Sequence, residues 1–149
     1  MVFNYFKNLK KAKNIINTLE SLVNKSVGPS LKLICAGRTI PCSDKYVLGF
    51  IYGMADNYYH KFGIEGGTGV SEKGTTALCE IVFGRRSNLA YKLMMNILLK
   101  SQGDHKALDK DFYNGMMDGH RDIKRLFGSP QLNISLGRKL NEHVKNKKY

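Results

Sequence analysis

The chain contains the sequence YVLGFIYGMADNYYHKF at residues 46–62, and this stretch decides the fold that we predict. Apolar side chains fill most of its positions, Ser43 or Asp44 can cap its first turn, and Gly63 can end it. A helix that is apolar around most of its circumference must be covered on most sides. The sequence therefore predicts a central helix over residues 44–62, with other helices packed around it.

A second stretch, FYNGMMDGHRD at residues 112–122, repeats part of this pattern. Both stretches contain F-x-x-G-M-x-D, and each has two glycines four residues apart, Gly49 with Gly53 and Gly115 with Gly119. Such glycines share one helical face, where another backbone can approach closely. We expect the two helices to cross at these glycines, with a bound ligand as the alternative occupant. The repeat indicates either a weak internal helical duplication or chance.

Other segments also have the spacing of amphipathic helices. Apolar residues recur in them at every third or fourth position, as a buried stripe requires. A shorter segment, residues 75–83, fits a helix or a strand. The longer helical segments are residues 2–26, 87–100, 106–127 and 132–147.

Two connecting segments have a different composition. Apolar residues alternate with others ahead of Ala36-Gly37, which allows a small β-hairpin near residues 31–40 or an ordered loop. Residues 63–74 contain five glycines and predict a mobile loop. The spacing of Gly69 and Gly74 resembles that of a phosphate-binding loop, but no lysine follows Gly74, so we expect a flexible surface loop instead.

The sequence thus predicts a single all-α domain over residues 1–149, folded as a compact bundle of five to six helices. Its basic end, residues 145–149, is expected to fray. The three cysteines lack the C-x2-C spacing of a zinc or redox motif, so we interpret them as small, partly buried apolar residues in a reducing compartment. No membrane span or signal peptide is visible, which favours a cytoplasmic protein.

The net charge of +12, from 24 basic and 12 acidic residues, is concentrated at the two ends of the chain. Residues 1–28 carry five lysines and one glutamate, and residues 129–149 carry five basic residues and one glutamate, so each segment contributes +4. A positive field of this kind attracts nucleic acid or acidic protein surfaces. The alternative interpretation is a solvated surface that keeps the protein soluble.

The leading functional prediction is a non-enzymatic basic module that binds an anionic macromolecule, either nucleic acid or an acidic protein surface. No cofactor is expected for it, and no zinc-finger, RNA-recognition or leucine-zipper pattern narrows the choice. The predicted anion contacts are basic residues beside or along helices: Arg85, Arg86, Arg121, Lys124, Arg125, Arg138 and Lys139.

Two other functions stay open. Carboxylates and a histidine on two crossing helices could bind a divalent metal in a helical enzyme. Alternatively, the aspartates form ordinary ion pairs with basic residues of their own helix. The apolar stripe of residues 2–26 could instead join two copies into a homodimeric adaptor. Nothing pairs a histidine with a serine or cysteine nucleophile, so the sequence leans against an enzyme. The predicted metal ligands are Asp56, His60, Asp118 and Asp122.

Overall fold

A computed structural model describes residues 27–61, 69–128 and 137–147, and five separate helical positions, 7, 10, 13, 14 and 17. Within these residues there are helices and turns but no strand, so the all-α prediction is confirmed for the described part of the chain. Short 3-10 helices at Gly84–Arg86 and His105–Ala107 precede the fourth and fifth α-helices. The α-helices are α1 (Gly28–Cys35), α2 (Lys45–Lys61), α3 (Gly69–Phe83), α4 (Ser87–Ser101), α5 (Lys110–Gly128) and α6 (Arg138–Lys147).

Helix α2 is central, as predicted. It begins where the Asp44 side chain accepts a hydrogen bond from the backbone N–H of Val47 at 3.1 Å, which satisfies one of the free N–H groups of the first turn. Its apolar positions are buried on several sides and form much of the hydrophobic core. The buried side chains of α2 are Val47, Leu48, Phe50, Ile51, Met54, Ala55 and Tyr58.

Helices α2 and α5 pack on each other more extensively than any other described pair. They meet at the glycines that the sequence singles out. A Cβ atom on Gly49 or Gly53 would collide with the backbone carbonyl of Phe112 or Met116, respectively, so the backbones are in direct contact. The residue numbers rise together on both helices, which means that the two helices run parallel. The predicted crossing at the glycines is therefore confirmed.

The crossing is reciprocal, but its register differs from that of the sequence repeat. Gly115 and Gly119 face the carbonyls of Tyr46 and Phe50. Gly115 thus meets the carbonyl three residues before Gly49, just as Gly49 meets the carbonyl three residues before Gly115. This symmetry makes Gly49 equivalent to Gly115, whereas the F-x-x-G-M-x-D pattern aligns Gly53 with Gly115. The two alignments differ by four residues, about one helical turn. An internal duplication accordingly stays a prediction.

Polar contacts hold both ends of this crossing. The Lys45 ammonium lies 3.1 Å from the Asp109 carboxylate, and the Asn57 amide donates to the carbonyl of His120 at 2.7 Å. Asp109 also accepts from the backbone N–H of Phe112 at 3.2 Å and so caps α5. Because of this cap, α5 begins at Lys110 rather than at residue 106, as the sequence had indicated.

The prediction of a β-hairpin near residues 31–40 is wrong. Pro29 lies in the first turn of α1, where its missing N–H costs no hydrogen bond, so α1 begins at the Gly28-Pro29 pair. Leu31 is buried and Ile34 and Cys35 are half-buried, which is helical spacing. A short apolar run fits the spacing of a helix as well as that of a strand, and packing against α3 favours the helix here.

The prediction of a mobile loop over residues 63–74 is also wrong for residues 69–74, which the structure describes. Helix α3 starts at Gly69, so residues 69–74 are helical, and Gly74 is buried inside the helix rather than exposed in a loop. Residues 62–68 lie outside the described residues. So do most of residues 2–26, including the stripe proposed for a homodimer, and residues 129–136.

Helix α6 is fixed by its buried side and by two long-range hydrogen bonds. Leu140 and Val144 are fully buried. The Arg38 guanidinium donates to the carbonyl of Val144 at 2.9 Å, and Asp122 accepts from the backbone N–H of Gly137 at 2.8 Å. Among the described residues, no helix combines the length and apolar character that crossing a bilayer requires.

Candidate nucleic-acid interface

A three-residue turn, Gly84–Arg86, joins α3 to α4. Gly84 has a φ of +59°, a conformation that glycine adopts without steric cost, and this ends α3 ahead of the turn. The Cys42 thiol donates to the carbonyl of Arg86 at 3.7 Å, and the Arg86 guanidinium donates to the carbonyl of Ile40 at 3.0 Å. These contacts hold the turn against the loop that precedes α2.

Helix α4 presents a cationic side to solvent. It packs mainly on α3 and less extensively on α2, and α3 itself packs on α1 and α2. Ser87, Ala90, Met94 and Ser101 are its buried residues. The exposed side chains of the turn and helix, called here the α4 surface, are Arg85, Arg86, Asn88, Leu89, Lys92, Asn96, Leu99 and Lys100.

The α4 surface has no carboxylate of its own. Residues 81–103 contain four basic residues and no aspartate or glutamate. Within the described part of the chain, none of these four cations forms an ion pair. Two leucines are also exposed there, Leu89 at 52% and Leu99 at 69%. The combination is an exposed helix that contains no carboxylate and whose cations form no ion pair among the described residues.

The other predicted anion contacts are in different surroundings. Arg121 lies 3.5 Å from Asp118, and Arg138 lies 3.4 Å from Glu142, so a carboxylate partly neutralises each guanidinium. Lys124 is exposed on α5, and the Arg125 side chain lies outside the described residues. The seven predicted residues are thus spread over three separate helical regions, and Arg85 and Arg86 are the two that belong to the α4 surface.

The structure does bring Arg121 together with Lys139, in an open groove between α5 and α6. Asp111, Asp118 and Glu142 line the same groove, so three carboxylates accompany the two cations. A polyanion would meet repulsion there as well as attraction. This α5–α6 groove is therefore a weaker candidate for anion binding than the α4 surface.

A polar network beside the groove could not be anticipated from the sequence. Both oxygens of Asp44 lie close to His143 Nε2, at 2.9 and 3.1 Å, and the imidazole stacks on the Tyr46 ring with centroids 4.3 Å apart. The Tyr46 hydroxyl donates to Asp118 at 2.7 Å. Burial, reinforced by this hydrogen bond and by nearby carboxylates, raises the pKa of Tyr46 well above its usual range. The network ties α2, α5 and α6 together.

The predicted metal ligands have other partners. Asp118 accepts from Tyr46, Asp122 accepts from the backbone of Gly137, and Asp56 is hydrogen-bonded to Tyr52. The fourth predicted ligand, His60, is exposed near the end of α2. Burial and the neighbouring Asp56 raise the pKa of Tyr52 to about 12. Among the described residues, no group of three or more histidine, cysteine, aspartate or glutamate side chains is placed to share a metal ion.

The three thiols are free. Cys42 and Cys79 are buried and Cys35 is half-buried, as the sequence predicted. Burial raises the pKa of Cys79 to about 12, and it raises that of Cys35 to about 11 despite the opposing effect of Arg38. Both of these thiols stay protonated at neutral pH, a form that is a poor nucleophile.

The chain matches no protein-family model, no curated protein and no solved structure. Its function must therefore be inferred from its own residues and their surroundings.

Proposed function

We propose that this protein is a non-enzymatic basic module that binds nucleic acid through the α4 surface. The observation that carries the proposal is the absence of any carboxylate over residues 81–103, where Arg85, Arg86, Lys92 and Lys100 are all exposed. A nucleic acid offers a dense row of phosphates, and each cation that contacts one releases condensed counterions. Cations that form no ion pair keep more of their attraction for such a partner than paired ones do.

The composition of the α4 surface favours nucleic acid over an acidic protein. Asn88 and Asn96 add amide groups that can both donate and accept hydrogen bonds, as base edges require. The Arg86 guanidinium has five N–H donors, so its bond to Ile40 leaves others available for a phosphate. The overall charge of +12 would bring a polyanion toward the protein from a distance.

The test is a titration of fluorescent single- and double-stranded DNA and RNA at several salt concentrations. A triple variant, Arg85→Ala with Lys92→Ala and Lys100→Ala, removes three cations from the α4 surface and spares Arg86, which holds the turn. The matched control removes three cations elsewhere: Lys124→Ala, Arg138→Ala and Lys139→Ala. Circular dichroism confirms that both variants are folded.

We expect the wild type to bind with a linear fall of log affinity against log salt. The α4 variant should lose about 2.7 from that slope, at roughly 0.9 for each of three phosphate contacts, and the control should lose much less. Equal losses of slope in both variants would show that the overall charge of the protein, and not the α4 surface, binds the nucleic acid. Absence of binding at low salt would refute nucleic-acid binding, and binding of poly-glutamate in that case would point to an acidic protein surface.

A further inference from the structure

The connection between α3 and α4 has the turn length of a helix-turn-helix unit. Such units join two packed helices by a turn of three or four residues that often contains glycine. Here the turn is the three-residue segment Gly84–Arg86, Gly84 supplies the left-handed conformation, and α4 packs mainly on α3. We infer, on the basis of the proposed function, that the nucleic acid is double-stranded DNA and that α4 binds in its major groove.

The exposed residues at the start of α4 are suited to reading bases. In a helix-turn-helix unit the second helix enters the groove and its first turns contact base edges, while the first helix crosses the backbone. The first exposed positions of α4 are Asn88, Leu89 and Lys92, which lie on one side of the helix. An asparagine amide can bond an adenine edge, an apolar side chain can contact a thymine methyl group, and a lysine can bond guanine.

The charge of α4 also fits this placement. A helix in the major groove has a phosphate backbone on each flank, so a carboxylate on either side would be repelled. Helix α4 contains none. Its 15 residues extend about 22 Å, and its diameter suits a groove about 12 Å wide. Arg85 lies in the turn, where the protein would meet the phosphates at the edge of the groove.

This geometry discriminates between nucleic acids. The major groove of an RNA duplex is deep and narrow and does not admit a helix, and a single strand has no groove. Duplex DNA should therefore bind at least tenfold more tightly than an RNA duplex of the same sequence and length at the same salt concentration. Selection from a random DNA duplex library should also enrich a short preferred site.

The decisive variant is Asn88→Ala with Leu89→Ala, which changes no charge and removes only exposed side chains. Its matched control is Asn146→Ala with Leu33→Ala, which removes an exposed asparagine and an exposed leucine from α6 and α1. We expect the α4 variant to bind the enriched site at least fivefold more weakly, with its affinity for random DNA and its salt slope unchanged. The control should behave as the wild type.

The outcomes separate this inference from the proposed function. No binding to any nucleic acid at low salt would overturn both. Salt-dependent binding that is equal for duplex DNA, duplex RNA and single strands would overturn the major-groove inference alone. The major-groove inference would also be overturned if the Asn88→Ala/Leu89→Ala variant preferred the enriched site to the same extent as the wild type does.

Discussion

Replacing Gly115 by alanine tests the close approach of the α2 and α5 backbones. The added Cβ would strike the backbone carbonyl of Tyr46, which cannot rotate away as a side chain could. The two helices must therefore separate. Overpacking of a core typically costs about 1–3 kcal/mol, and a collision with a rigid backbone belongs at the upper end of that range.

Helix propensity acts in the opposite direction. Alanine is favoured over glycine within a helix by about 1 kcal/mol, so Gly115→Ala should lower the free energy of unfolding by roughly 2 kcal/mol in total. For a chain of this size, that corresponds to a fall in Tm of about 4–8 °C. The neighbouring substitution Asn114→Ala is the control. Its side chain is exposed, so it should be neutral or slightly stabilising.

The assay is urea unfolding followed by circular dichroism at 222 nm, with the midpoint and slope compared between variants. A second variant, Gly49→Ala, places its Cβ against the carbonyl of Phe112 at the same crossing. Once one alanine has separated the helices, the second should cost less, so the double variant should lose less stability than the sum of the single variants. If Gly115→Ala instead stabilises the protein by about 1 kcal/mol, as alanine does in an open helix, the two backbones are not in direct contact at this glycine.

Three further predictions concern other contacts. His143→Ala removes a partner of the largely buried Asp44 and should lower the free energy of unfolding by about 1–3 kcal/mol. Trypsin should then cleave α6 faster, and an unchanged cleavage rate would show that other contacts hold α6. Because burial raises the pKa of Cys79 to about 12 and of Cys35 to about 11 from 9.0, their unfolded thiols ionise first. The stability that these two thiols contribute should be present below pH 9 and be lost as the pH rises from 9 to 12, and a urea midpoint that stays constant over that range would contradict this. Gly84→Ala should cost about 1–2 kcal/mol through its positive φ, although the site has open space; if alanine is tolerated without loss, the left-handed turn is wrong.

The candidate interface does not lie where the net charge along the chain is highest. The sequence places most net charge at residues 1–28 and 129–149, yet the α4 surface lies between them. What distinguishes it is the absence of carboxylates rather than the number of cations. Arg121 and Arg138 illustrate the difference, since each has a carboxylate within 3.5 Å and is a weaker candidate for that reason.

Several features of the fold could be predicted from the sequence because they depend on local periodicity. The apolar circumference of residues 46–62 is enough to place α2 at the centre, since such a helix cannot face water. The glycines spaced four apart are enough to predict the crossing of α2 and α5, because they leave one face of each helix without side chains. Element boundaries were less accurate, since Asp109 as a cap and Pro29 in a first turn compete with the apolar pattern.

Only the tertiary structure decided which side chains meet and which charges remain unneutralised. Asp44 and His143 are 99 residues apart, and no local pattern relates them. The four-residue difference between the sequence repeat and the actual crossing is invisible in the sequence, because the contact of the two backbones and not the identity of their side chains sets the register. Whether a basic residue is paired with a carboxylate or faces solvent is likewise a property of the packed helices. The sequence by itself determined the longer amphipathic helices, the central position of α2 and the positive charge, whereas packing decided that residues 28–35 are helical and where the charge is exposed.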